Sequence, residues 1–65
     1  MNAATYYLEG IREGREWLRE YGAADARDHL SNLERTCKSF DAQSPVGQLL
    51  RGERDFWRNQ IKKGA

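Results

Sequence analysis

Residues 23–40 read AADARDHLSNLERTCKSF, and within them Ala23, Ala26, Leu30, Leu33, Cys37 and Phe40 recur at intervals of three, four, three, four and three. That alternation keeps six apolar side chains on one face of a 3.6-residue turn, whereas a half-buried strand needs a period of two. A helix is therefore predicted over about residues 23–40.

The flanks repeat the pattern. Upstream, Ala4, Tyr7, Ile11, Gly14, Leu18 and Tyr21 are spaced three or four apart with Leu8 beside them, which predicts a helix over about 3–21. Asn2 is placed to cap its start, and Gly22 stands where a left-handed residue ends a helix. With only Gly22 between them, the first two helices should meet as an antiparallel hairpin or a sharp corner. Downstream, Asp41-Ala42-Gln43-Ser44-Pro45 breaks the chain, with Ser44 as a cap and Pro45 at the first helical position, where its missing N–H costs nothing. A third helix over about 45–62 carries Val46, Leu49, Leu50, Phe56, Trp57 and Ile61 on one side, and Lys62 and Lys63 suit the dipole at its end. No repeat or low-complexity stretch divides the chain. The fold class is all-α: a single domain over residues 1–65, made of a helical hairpin plus a third helix.

At 65 residues and 7.5 kDa the core is small. Such a chain buries only about 60% of the surface its unfolded form exposes and needs a staple or a partner. Cys37 is the only cysteine and His29 the only histidine, so neither a disulfide within the chain nor a four-ligand zinc site can supply it. Oligomerisation or partner binding is the expected source. No apolar run is long enough to span a bilayer, and the first residues lack the basic and apolar regions of a signal peptide, so a cytoplasmic location is expected.

Two features depart from a plain bundle. Gly10 and Gly14 lie on one face of the first helix, at about 1 kcal/mol each relative to alanine. They mark a close helix contact, either with a partner or with a large aromatic of the same chain. Glu53 falls in the apolar stripe of the third helix, seven residues after Val46 and three before Phe56. A carboxylate facing a core must be paired or protonated, and Arg12, Arg15 and Arg35 are the candidate partners.

The chain has seven aromatics, more than three short helices can bury, so some should reach the surface. Phe56 is expected inward and Trp57 nearer the boundary, since neighbours on a helix point about 100° apart. Arg51, Arg54, Arg58 and Lys62 form a basic stripe on the third helix. The first helix looks self-satisfied, with Glu9–Arg12, Arg12–Glu16 and Glu16–Arg19 at pairing distance. Trp, Tyr and Arg dominate interface energetics. Tyr6, Trp17, Arg51, Arg54, Trp57 and Arg58 are therefore the expected partner-binding residues.

Catalytic chemistry has no motif to stand on. His29 and Cys37 are eight residues apart on one helix, about 12 Å, too far for a base to activate a nucleophile. No phosphate loop, carboxylate pair or metal constellation is present, so no enzyme activity, cofactor or metal is expected.

The segment SPVGQLLRGERDFWRNQIKKGA, residues 44–65, following a helical hairpin in a tiny lone-cysteine chain, resembles in size and texture the small accessory proteins encoded by bacteriophages. The resemblance implies a non-enzymatic inhibitor or adaptor that binds a host protein, in host takeover or anti-defence, and self-associates as a homo-oligomer. The chain is also similar in scale to phage sponges that sequester cyclic-nucleotide signals in pockets between subunits. A nucleotide sponge and nucleic-acid binding through the basic third helix are the alternatives. The latter is less favoured, because the net charge of +1 offers little to phosphates.

Overall fold

A computed structural model describes residues 3–64 of the chain. Three helices follow in order: α1 Ala3–Tyr21, α2 Ala26–Cys37 and α3 Pro45–Gly64. No strand occurs among the described residues, and the architecture is an all-α three-helix domain. Asn2, expected to cap α1, lies outside the described residues. None of the three helices is long and apolar enough to cross a membrane.

The junctions follow local chemistry. Gly22 ends α1 at φ +80°, and its N–H donates to Leu18 O at 2.9 Å. The predicted second helix is shorter at both ends than its stripe. Ala23–Asp25 form the turn that redirects the chain, and the first helical bond runs from His29 N–H to Asp25 O at 2.9 Å. At the far end the N–H groups of Lys38, Ser39 and Phe40 bond to carbonyls three residues back, which tightens the last turn and releases the helix. Ala23 and Phe40, the ends of the stripe, are therefore exposed. Ser44 caps α3 as read: its Oγ accepts from Gly47 N–H at 3.0 Å and donates to Asp41 O at 2.8 Å.

α3 is the shared element. Gly10 lies over Leu49 and Glu53, and Gly14 over Phe56, so α1 crosses α3 in the same chain sense. His29 stacks on Trp57, while Asp41 packs on Gly47, so α2 runs antiparallel to α3. No Cα of α1 comes within 8 Å of one in α2 among the described residues. The first two helices thus meet at a corner, each resting on α3.

The α1–α3 crossing is close because glycine faces backbone on both sides. A Cβ on Gly10 would stand 2.0 Å from Leu49 O, and one on Gly52 would stand 2.0 Å from Tyr7 O. Such an approach brings Cα–H groups against carbonyl oxygens, which adds weak hydrogen bonding to close packing. Gly14 instead makes room for a ring: a Cβ there would meet Phe56 Cδ2 at 2.6 Å.

Phe56 and Trp57 are both buried, and Trp57 is the more enclosed at 2% exposure. This corrects the expectation that Trp57 lies near the boundary and binds a partner. The reason is that α3 is covered from two directions. Phe56 turns toward Gly14 of α1 and Trp57 toward His29 of α2, with the rings meeting edge-on at 5.3 Å. Ala26 completes this cluster, and Ile11, Leu18, Leu30, Leu33 and Ile61 pack around it.

Candidate functional site

The backbones of α1 and α2 stay apart, and a cleft of about 250 Å³ remains between them above α3, bridged at the ring contact of Trp17 and His29. Glu13, Gly14 and Trp17 line it from α1, His29 from α2, and Glu53 and Trp57 from α3. A second groove, of about 240 Å³, shares Glu13 and Trp17 and continues past Glu16, Glu20 and Tyr21. Together they make one acidic, aromatic surface along α1.

Its aromatic part is ordered by ring contacts. Trp17 is 44% exposed and packs at 4.5 Å against Tyr21, which is 66% exposed. His29 meets Trp17 in a T-shaped contact at 4.7 Å, and it stacks on Trp57 at 5.0 Å with 17° between planes. His29 thereby links the buried indole to the exposed one. Its Nε2 is shut off from solvent and has no hydrogen-bond partner among the described residues.

The acidic part is uncompensated. Glu53 is half-buried and forms none of the ion pairs expected with Arg12, Arg15 or Arg35. Burial raises its pKa above the ordinary glutamate value, and the charge of Glu13 raises it further. Glu13, Glu16 and Glu20 form no ion pair among the described residues either. Arg12 turns back to Glu9 at 2.8 Å instead of making the predicted pair with Glu16, and the predicted Glu16–Arg19 pair is not made either.

The arginines expected to face a partner are largely occupied within the chain. Arg51 donates to Gly47 O at 3.4 Å, and Arg54 pairs with Asp55 at 3.0 Å. Arg58 bridges Glu34 at 3.2 Å and approaches Asp55 at 3.8 Å, linking α2 to α3. Asp55 also accepts a 2.5 Å hydrogen bond from the Tyr7 hydroxyl of α1. Burial alone would raise the Asp55 pKa. The hydrogen bonds from Tyr7 and Arg54, with the Arg54 and Arg58 charges, outweigh it and hold the carboxyl below its usual value. Tyr7 is raised in turn, chiefly by that hydrogen bond to Asp55.

Of the residues singled out in the sequence, Trp17 is the one that the structure brings to this surface in exposed form. Tyr6 is half-buried on α1, and Gly10 and Gly14 are buried beneath α3, where their close contacts are made within the chain. The glutamates of α1 and Tyr21 were not singled out. Their signal is legible as Glu13, Glu16, Glu20 and Tyr21 at helical spacing around Trp17, although pairing rules assign Glu16 to arginines and periodicity assigns Tyr21 to the core.

A larger cavity of about 400 Å³ lies at the start of α2, lined by Ala23, Ala26 and Ile61 together with Arg27 and Lys63. The amide end of α2 and the carbonyl end of α3 both open there, so the two helix ends bring opposite partial charges to it.

Comparison of the chain with protein families, with characterised proteins and with solved structures found no match.

Proposed function

We propose that the protein is a non-enzymatic interaction module whose docking surface is the acidic, aromatic face of α1. The observation that carries this reading is the exposed Trp17–Tyr21 ring pair, set among carboxylates that form no ion pair among the described residues. Rigid aromatics with two rotatable bonds supply interface area at low entropic cost, and Trp and Tyr are enriched among residues that dominate binding. The face differs from the aromatic and arginine face expected from sequence, because Arg51, Arg54 and Arg58 are engaged inside the chain. Those contacts make the arginines of α3 less free for phosphates than the sequence suggests, which favours the face on α1 over nucleic-acid binding through α3.

The test is a tagged pull-down from bacterial lysate after nuclease treatment and dialysis, with the wild type and with Trp17→Ala and Arg58→Ala variants. A stoichiometric protein retained by the wild type and by Arg58→Ala, and lost with Trp17→Ala at unchanged thermal stability, supports the reading. Capture that follows Arg58 and ignores Trp17 overturns the choice of face. Capture of nothing, with the chain self-associating in sedimentation, assigns the face to a second copy if Trp17→Ala dissociates it.

A further inference from the structure

Glu13 and Glu53 come from different helices, border the same cleft, and form no ion pair among the described residues although the chain holds eight arginines. Folding has brought the exposed Glu13 to the same cleft as the half-buried Glu53, and each arginine on α3 makes its polar contacts elsewhere. Like charges so placed oppose folding unless something positive enters. The walls favour a particular kind of cation. Trp17, packed against Tyr21 and His29, brings an indole to the wall, the ring type most attractive to a cation, while His29 lines the wall from α2 and Gly14 and Trp57 add apolar surface.

Size and donor chemistry narrow the class further. At about 250 Å³ the cleft suits one side chain, since pockets for drug-sized ligands run from about 300 to 1,000 Å³. A metal ion is disfavoured: among the described residues no three His, Cys, Asp or Glu groups gather closely enough to hold one. Guanidinium fits better than ammonium. It is planar and stacks on an indole, its forked donors can reach two carboxylates at once, and it gives up water more readily.

We propose that the cleft between α1 and α2 receives the guanidinium of an arginine, held by Glu13 and Glu53 against the ring of Trp17. The source of that arginine is a partner protein, and this part alone rests on the interaction reading above.

The full chain is titrated with N-acetyl-L-arginine amide and followed by tryptophan fluorescence, beside the uncharged citrulline analogue and the lysine analogue. Saturable binding of the arginine probe is expected, with citrulline at least tenfold weaker and lysine several-fold weaker. Glu53→Gln should weaken the arginine probe at least tenfold while its melting curve stays cooperative, and Glu34→Gln, on the far side of α2's ion pair, should leave it unchanged. Unsaturable binding, equal binding of citrulline or lysine, or indifference to Glu53→Gln overturns the assignment. The two readings fail separately. If the arginine probe saturates the cleft but no arginine-bearing protein competes with it, the cleft chemistry stands and a free guanidinium compound is the ligand. If a protein is captured through Trp17 and Glu53→Gln still holds it, the docking face stands and the arginine cleft falls.

Discussion

Glu53 and Asp55, two residues apart on α3, respond to folding in opposite senses. Folding raises the pKa of Glu53, so the native chain binds that proton more tightly than the unfolded one, and stability rises as pH falls through the raised value. The groups facing it are Glu13 of α1 and His29 of α2, while Arg54 is turned to Asp55. Glu53→Gln is therefore expected to melt higher than the wild type at neutral pH. The gap should close below about pH 4, where both forms are neutral. A lower melting temperature at neutral pH, or a gap that widens on acidification, contradicts the placement. Asp55 behaves the other way: its depressed pKa gives stability that is present above the unfolded value and lost as pH falls toward the folded one. Tyr7→Phe removes its 2.5 Å hydrogen bond and is expected to lower stability in urea by about 1–2 kcal/mol at neutral pH, less in acid. The position of Glu53 in an apolar stripe was legible from spacing. Its lack of a cation was not, because that depends on where the arginines of all three helices turn. The Tyr7–Asp55 bond spans 48 residues, and Tyr7 in the sequence looks only like one more apolar position.

Among the helices, the crossing of α1 on α3 depends on two glycines that cannot carry a side chain. Gly10→Ala gains about 1 kcal/mol of helix propensity but drives a methyl group into Leu49 O, so a net loss of about 2 kcal/mol or more is expected in urea unfolding. Gly64→Ala meets nothing and should be neutral or stabilising. Equal effects of the two changes would contradict the close crossing. Helix existence was legible because the three-and-four spacing admits no strand. Helix ends were less so: the stripe of α2 runs on through Ala23 and Phe40, but reversing the chain at both ends consumes those residues. Gly10 and Gly14 could be placed on one face from sequence, whereas their partner helix could not, since nothing local says that α3 lies beneath them.

At the level of the whole molecule, α3 holds both other helices, and everything on it is exposed to loss from either side. Trp57→Ala is expected to cost about 3–5 kcal/mol, comparable to the whole stability of a domain this small, and to leave the chain unfolded by circular dichroism. Trp17→Ala, at the open edge of the cleft, should keep the helical signal. In the sequence Trp57 stands in the apolar stripe of its helix and Trp17 beside the stripe of its own, so part of their difference is legible. The packing of two helices on one makes Trp57 a core ring and leaves Trp17 at the surface. The same arrangement leaves the acidic cleft open. The most direct test follows from that difference: an NMR titration of the full chain with N-acetyl-L-arginine amide, in which the indole N–H signals of Trp17 and Trp57 are followed separately. A saturable shift of the Trp17 indole and of the Glu13 and Glu53 amides, with the amides of Arg51 and Lys62 still, is the expected result. Shifts confined to the arginine side of α3, or none that saturate, would contradict a cation-binding face on α1.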